Sequence, residues 1–76
     1  LGMMVSARRV LEEGDEVRYR FGFDEAFDRV LVISKKTLRA SVEDGNFESP
    51  ASAITSKIIR TFRSTGAFPP GVVFAS

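Results

Sequence analysis

Polar and apolar positions alternate strictly from Glu16 to Phe23. Val17, Tyr19, Phe21 and Phe23 fall on one side, and Arg18, Arg20 and Gly22 on the other. A period of two with this aromatic content predicts a half-buried strand. Asp24–Asp28 is a short polar connection. Val30, Leu31, Val32 and Ile33 then form an unbroken apolar run within a second predicted strand, Arg29–Ser34. Ser34–Thr37 reads as a turn. Beyond it Leu38, Ala40 and Val42 alternate with Arg39, Ser41 and Glu43, until Asp44–Gly45–Asn46 stops the strand with strong turn chemistry.

Two readings fit Met3–Leu11. Val5, Ala7, Arg9 and Leu11 lie at strand spacing, whereas Ala7, Val10 and Leu11 ahead of Gly14 fit a short helix. The strand is preferred, because Glu-Glu-Gly-Asp between two apolar runs resembles a hairpin loop spanning Glu12–Glu16.

The period changes at Ser49. Ser49 is suited to an N-cap and Pro50 to the first helical position, where its missing N–H costs nothing. At about 100° per residue, Ile54, Ala51, Ile58, Phe62 and Ile59 share an arc of about 140°. Lys57, Arg60 and Arg63 take the opposite arc. Gly66 ends the run and Pro69–Pro70 prevents its continuation. Val72–Val73–Phe74 after Gly71 predicts a short closing strand.

These elements predict an α+β domain over residues 3–76: a small antiparallel β-meander of three to four strands, one C-terminal amphipathic helix and a short final strand. Leu1–Gly2 ahead of Met3–Met4 reads as an appended remnant and is set aside. One helix covers one face of a sheet, yet Val30–Ile33 sends two apolar side chains each way. Burying such a side chain is worth roughly 1.5–3 kcal/mol. The second face is therefore expected to be covered by sheet curling, by the N-terminal segment, or by a second copy of the chain.

Composition narrows the chemistry. Histidine and cysteine are both absent, which removes disulfides, the usual zinc ligands, the commonest general base and the activated thiol. Three acidic clusters, Glu12–Glu16, Asp24–Asp28 and Glu43–Glu48, coincide with predicted loops and read as solvated loop charge. Asp44-Gly45-Asn46-Phe47-Glu48 opens like a calcium loop, but Ser49 stands where glycine is required and Pro50 starts a helix. No glycine-rich phosphate loop is present. The reading is therefore a non-catalytic protein with no cofactor, metal or small-molecule ligand. Lacking a signal-peptide pattern or a membrane-length apolar run, it is assigned to the cytoplasm.

Net charge is +1, and no acidic residue occurs from Ser49 to Ser76. The expected role is a protein-interaction or self-associating module, with a homodimer as one form. Phe27, Val30, Val32 and Phe68 are its candidate partner face. Phe68 beside Pro69–Pro70 is alternatively a contact folded back onto the helix, and Phe27 a core plug. The second hypothesis is weak nucleic-acid binding through Lys57, Arg60 and Arg63. Arg18-Tyr19-Arg20-Phe21 superficially suggests a base-stacking platform, but strand parity puts rings and guanidinium groups on opposite faces.

Overall fold

The computed structural model describes residues 2–76, so Leu1 lies outside the described residues. The chain forms β1 (Met4–Glu13), β2 (Glu16–Phe23), β3 (Arg29–Ser34), β4 (Ala40–Val42), α1 (Ser49–Thr65) and β5 (Gly71–Ala75). The strands build one antiparallel sheet in the order β4-β3-β2-β1-β5. Consecutive hairpins make the four-strand meander. α1 then carries the chain over one face, from the β4 edge to the β5 edge.

The N-terminal segment is the expected strand. Glu13 pairs with Glu16, leaving Gly14 and Asp15 as a two-residue loop. Gly14 has φ 59° while Asp15 does not enter the left-handed region, the arrangement of a type II′ hairpin turn. The alternation predicted for β1 fails at one point. Arg9 pairs with Tyr19 and Leu11 with Arg18, so Val10 is an extra, bulged residue. Leu11 is thereby turned to the face opposite Val5, Ala7 and Arg9.

The core lies between the sheet and α1. Val5, Val17, Tyr19, Phe21, Leu31, Ile33, Ala51, Ile54 and Ile58 are all fully buried. Phe23 shares the side of Tyr19 and Phe21 but is 55% exposed at the end of β2. Of the arc its periodicity predicts, the helix buries Ala51, Ile54 and Ile58, joined by Pro50 and Thr55, while Ile59 and Phe62 are half-buried. Two ends differ from the sequence reading. Glu48, not Ser49, is the N-cap residue, and its side chain makes no capping bond. That carboxylate is committed to Arg29, with Arg29 Nη1 2.6 Å from Glu48 Oε1. β4 is shorter than the alternation implies, because Leu38 takes φ 61° and falls outside the strand.

Ion pairs hold the loops that the chain separates. Arg29 Nε lies 3.0 Å from Asp44 Oδ2, and its guanidinium stacks 4.8 Å from the Phe21 ring centroid. Lys35 Nζ reaches Glu12 Oε2 at 2.8 Å, and Lys36 Nζ reaches Asp15 Oδ2 at 3.4 Å, so the two hairpin tips are clipped together. The acidic clusters at Glu12–Glu16 and Glu43–Glu48 are thus tied to specific cations rather than merely solvated. A hydrogen bond from Lys35 holds the Glu12 carboxyl below its ordinary range, and one from Arg29 does the same for Asp44.

The segment between α1 and β5 is fastened through its carbonyls. Arg9 Nη1 donates to Phe68 O at 2.7 Å, Tyr19 Oη to Pro69 O at 2.6 Å, and the Arg9 backbone N–H to Pro70 O at 2.9 Å. The Phe68 ring stacks on Phe62 with centroids 4.3 Å apart.

Burial pushes the Tyr19 hydroxyl up to about 12. The folded state therefore keeps its proton where the unfolded state loses it. Stability is complete below pH about 10 and falls as pH rises towards about 12. Urea unfolding of Tyr19→Phe should lose that alkaline slope and cost about 1–3 kcal/mol at neutral pH, since Pro69 O loses its donor. Arg29→Met should cost stability at neutral pH and flatten the acid limb. The depressed Asp44 carboxyl stabilises above the ordinary aspartate pKa, and that contribution is lost as pH falls through its folded value.

Candidate interaction face

Strand pairing defines the face that α1 leaves open. Ser6, Arg8 and Leu11 of β1, Arg18, Arg20 and Gly22 of β2, Val30 and Val32 of β3, Ser41 of β4, and Gly71 and Val73 of β5 share it. Arg8 stands directly opposite Arg20, Arg20 opposite Val30, and Arg18 opposite Val32. The β3 valines therefore flank the β2 guanidinium groups, and across the sheet Arg20 is followed directly by Arg8.

Like charges on directly opposed positions repel, and local contacts relieve this pair. The Arg8 guanidinium lies 4.9 Å from the Phe27 ring centroid, a cation–π arrangement. Arg20 Nη1 makes a long 3.5 Å contact with Phe27 O. Arg18 is neutralised by Glu43 at 2.8 Å and Glu16 at 3.2 Å. Among the described residues, Arg8 and Arg20 have no carboxylate partner.

Phe27 reaches this position because the β2–β3 loop folds back over the sheet. Asp24 and Phe27 both take left-handed backbone conformations, with φ 55° and 50°. A Cβ at residue 22 would lie 2.8 Å from Asp28 Oδ1 and 3.0 Å from the Phe27 N, so glycine is what lets the loop sit down. Between this loop and β1–β5 runs a shallow groove of about 360 Å³, lined by Ser6, Arg8, Glu25, Phe27, Pro70 and Val73 among others.

Three of the four candidate partner residues, Phe27, Val30 and Val32, are half-buried on this face. Phe68 is not there. It is 5% exposed on the helix side, in the core, because its stacking on Phe62 and its bonded carbonyl draw it inward. The helix cations are separated from one another in use. Lys57 Nζ donates to Val73 O at 2.7 Å, whereas Arg60 and Arg63 line a groove of about 430 Å³ along α1 with Thr55, Ser56 and Ile59. Among the described residues, the buried Thr55 hydroxyl has no hydrogen-bond partner.

Sequence reasoning missed Leu11 and Val73, which are 40% and 49% exposed on the open face. Parity with β1 would have placed Val73. Nothing in the sequence marks the bulge that turns Leu11. No helix among the described residues is long and apolar enough to cross a membrane. No protein-family model, curated protein or solved structure matches the chain.

Gly22→Ala tests the seating of the loop. It should cost about 1–3 kcal/mol in urea unfolding, as overpacking does, and should remove the ring-current shift of the Arg8 side chain over Phe27. A stabilised Gly22→Ala would mean that the loop does not rest on the strand.

Proposed function

We propose that the chain is a non-catalytic protein-interaction module whose open sheet face docks a partner segment carrying apolar and acidic side chains. One observation carries the proposal: Val30, Val32, Leu11 and Val73 share an uncovered face with two arginines that, among the described residues, have no carboxylate partner. Apolar contact would supply affinity there, and the guanidinium groups would select the partner's charge. A partner of different sequence suits the face better than a second copy laid upon it, which would bring arginines against arginines.

The nucleic-acid alternative draws less support. Tyr19 and Phe21, the rings a single strand would stack on, are fully buried, and Phe27 already lies against Arg8. Of the helix cations, Lys57 is engaged at β5, leaving Arg60 and Arg63.

A backbone amide NMR titration separates the two. With an extended peptide alternating glutamate and valine, shifts should cluster on Arg8, Arg20, Val30 and Val32, and Arg20→Glu should weaken binding by about tenfold or more. No response to that peptide, with salt-sensitive shifts at Arg60 and Arg63 on adding mixed-sequence nucleic acid that vanish in Arg60→Glu, would replace the proposal with its alternative.

A further inference from the structure

The outer edge of β5 presents a second surface, separate from the open face. Its ladder to β1 fixes which backbone groups remain unpaired. Ser76 N–H donates to Met3 O, and Arg9 N–H to Pro70 O. By the alternation of an antiparallel ladder, residues 70, 72, 74 and 76 bond towards β1. Gly71, Val73 and Ala75 therefore point their N–H and C=O groups away from the sheet. The opposite edge offers much less: β4 has three residues, and Gly45 N–H already fills the Val42 carbonyl.

We propose that β5 pairs with β5 of a second copy of this chain, antiparallel about a two-fold axis through Val73, making one continuous sheet. The outward set is symmetric about Val73. Val73 meets the partner's Val73, and Gly71 meets the partner's Ala75, each register pair exchanging two backbone bonds. The intervening positions bring Val72 against the partner's Phe74. Both are partly buried against the core, and pairing buries more of them. Val73, 49% exposed, gains its own symmetry mate on the open face. Along Gly71–Ala75 there is no charged side chain to oppose its copy and no proline to interrupt the edge. A two-fold contact of this kind is self-complementary and closes at two chains.

One side chain guards the edge. Lys57 Nζ is bonded to the outward carbonyl of Val73, at the centre of the proposed pairing. Lysine over an edge strand is a recognised barrier to strand addition. Each copy must swing its Lys57 aside, so Lys57 sets the strength of the association.

Amide hydrogen exchange and sedimentation on the intact chain test this. Val72 and Phe74 amides should be protected at every concentration. Those of Gly71, Val73 and Ala75 should become protected as the chain is concentrated towards about 1 mM, in step with a monomer–dimer shift in mass. Val73→Pro deletes only an outward N–H, which an edge strand tolerates, and should weaken the dimer by about tenfold or more. Lys57→Met should strengthen it by about tenfold. A Lys57→Met chain still monomeric at about 1 mM overturns the proposal. So does a dimer in which the outward amides stay unprotected or which survives Val73→Pro. If Val73→Pro does not fold, the exchange pattern of the unmodified chain decides alone.

Discussion

The fold turns on three consecutive carbonyls that have almost nothing to offer in return. Pro69 and Pro70 carry no N–H, so the Phe68–Pro70 segment can enter the structure chiefly as an acceptor. Arg9 and Tyr19 supply the three donors. Both sit on the helix-facing side of the central strands, and both would carry unmet polar groups if the segment were elsewhere. Satisfying them fixes where the chain leaves α1 and aligns β5 beside β1. An unpaired buried carbonyl costs about 1–3 kcal/mol, which disfavours arrangements that strip the buried Phe68 and half-buried Pro69 of their donors.

A second anchor works at the other end of the helix. Arg29 stands opposite Phe21 in the ladder and holds Asp44, Asn46 and Glu48. Between them, the two anchors determine how α1 crosses the sheet and therefore which face it seals. What remains on the far side is a consequence of that choice. Strand parity sends valines and arginines to the uncovered face because the aromatic residues are needed beneath the helix.

The elements were legible in the sequence wherever a single period ran uninterrupted. β2, β3 and the buried arc of α1 follow from spacing alone, and Gly66 ends the helix with φ 83° and its N–H bonded to Phe62 O, as its residue type suggests. Misreadings arose where a distant partner overrode the local signal. Glu48 occupies the cap position because Arg29 binds it. Phe68, read either as a partner contact or as folded back onto the helix, takes the second course because Phe62 and Arg9 receive it. Leu11 faces the open side because one extra residue, Val10, inverts the strand. The candidate face was half legible: Val30 and Val32 were placed by parity. The opposition of Arg8 to Arg20 required the register of a hairpin that spacing cannot supply.

The closing strand also governs how the chain reaches this structure. β1 and β5 are neighbours in the sheet but come from opposite ends of the chain, with Met4 aligned to Ala75. The meander can assemble from adjacent hairpins, each closing a short loop. The β1–β5 ladder must wait until nearly the whole chain has been drawn in, which is the costly kind of closure. Its formation also needs α1 laid across the sheet and the proline segment already seated. The last strand to arrive is thus the one whose departure uncovers Val5 and Ala7 while leaving the meander paired, giving the molecule a natural order of opening as well as of folding.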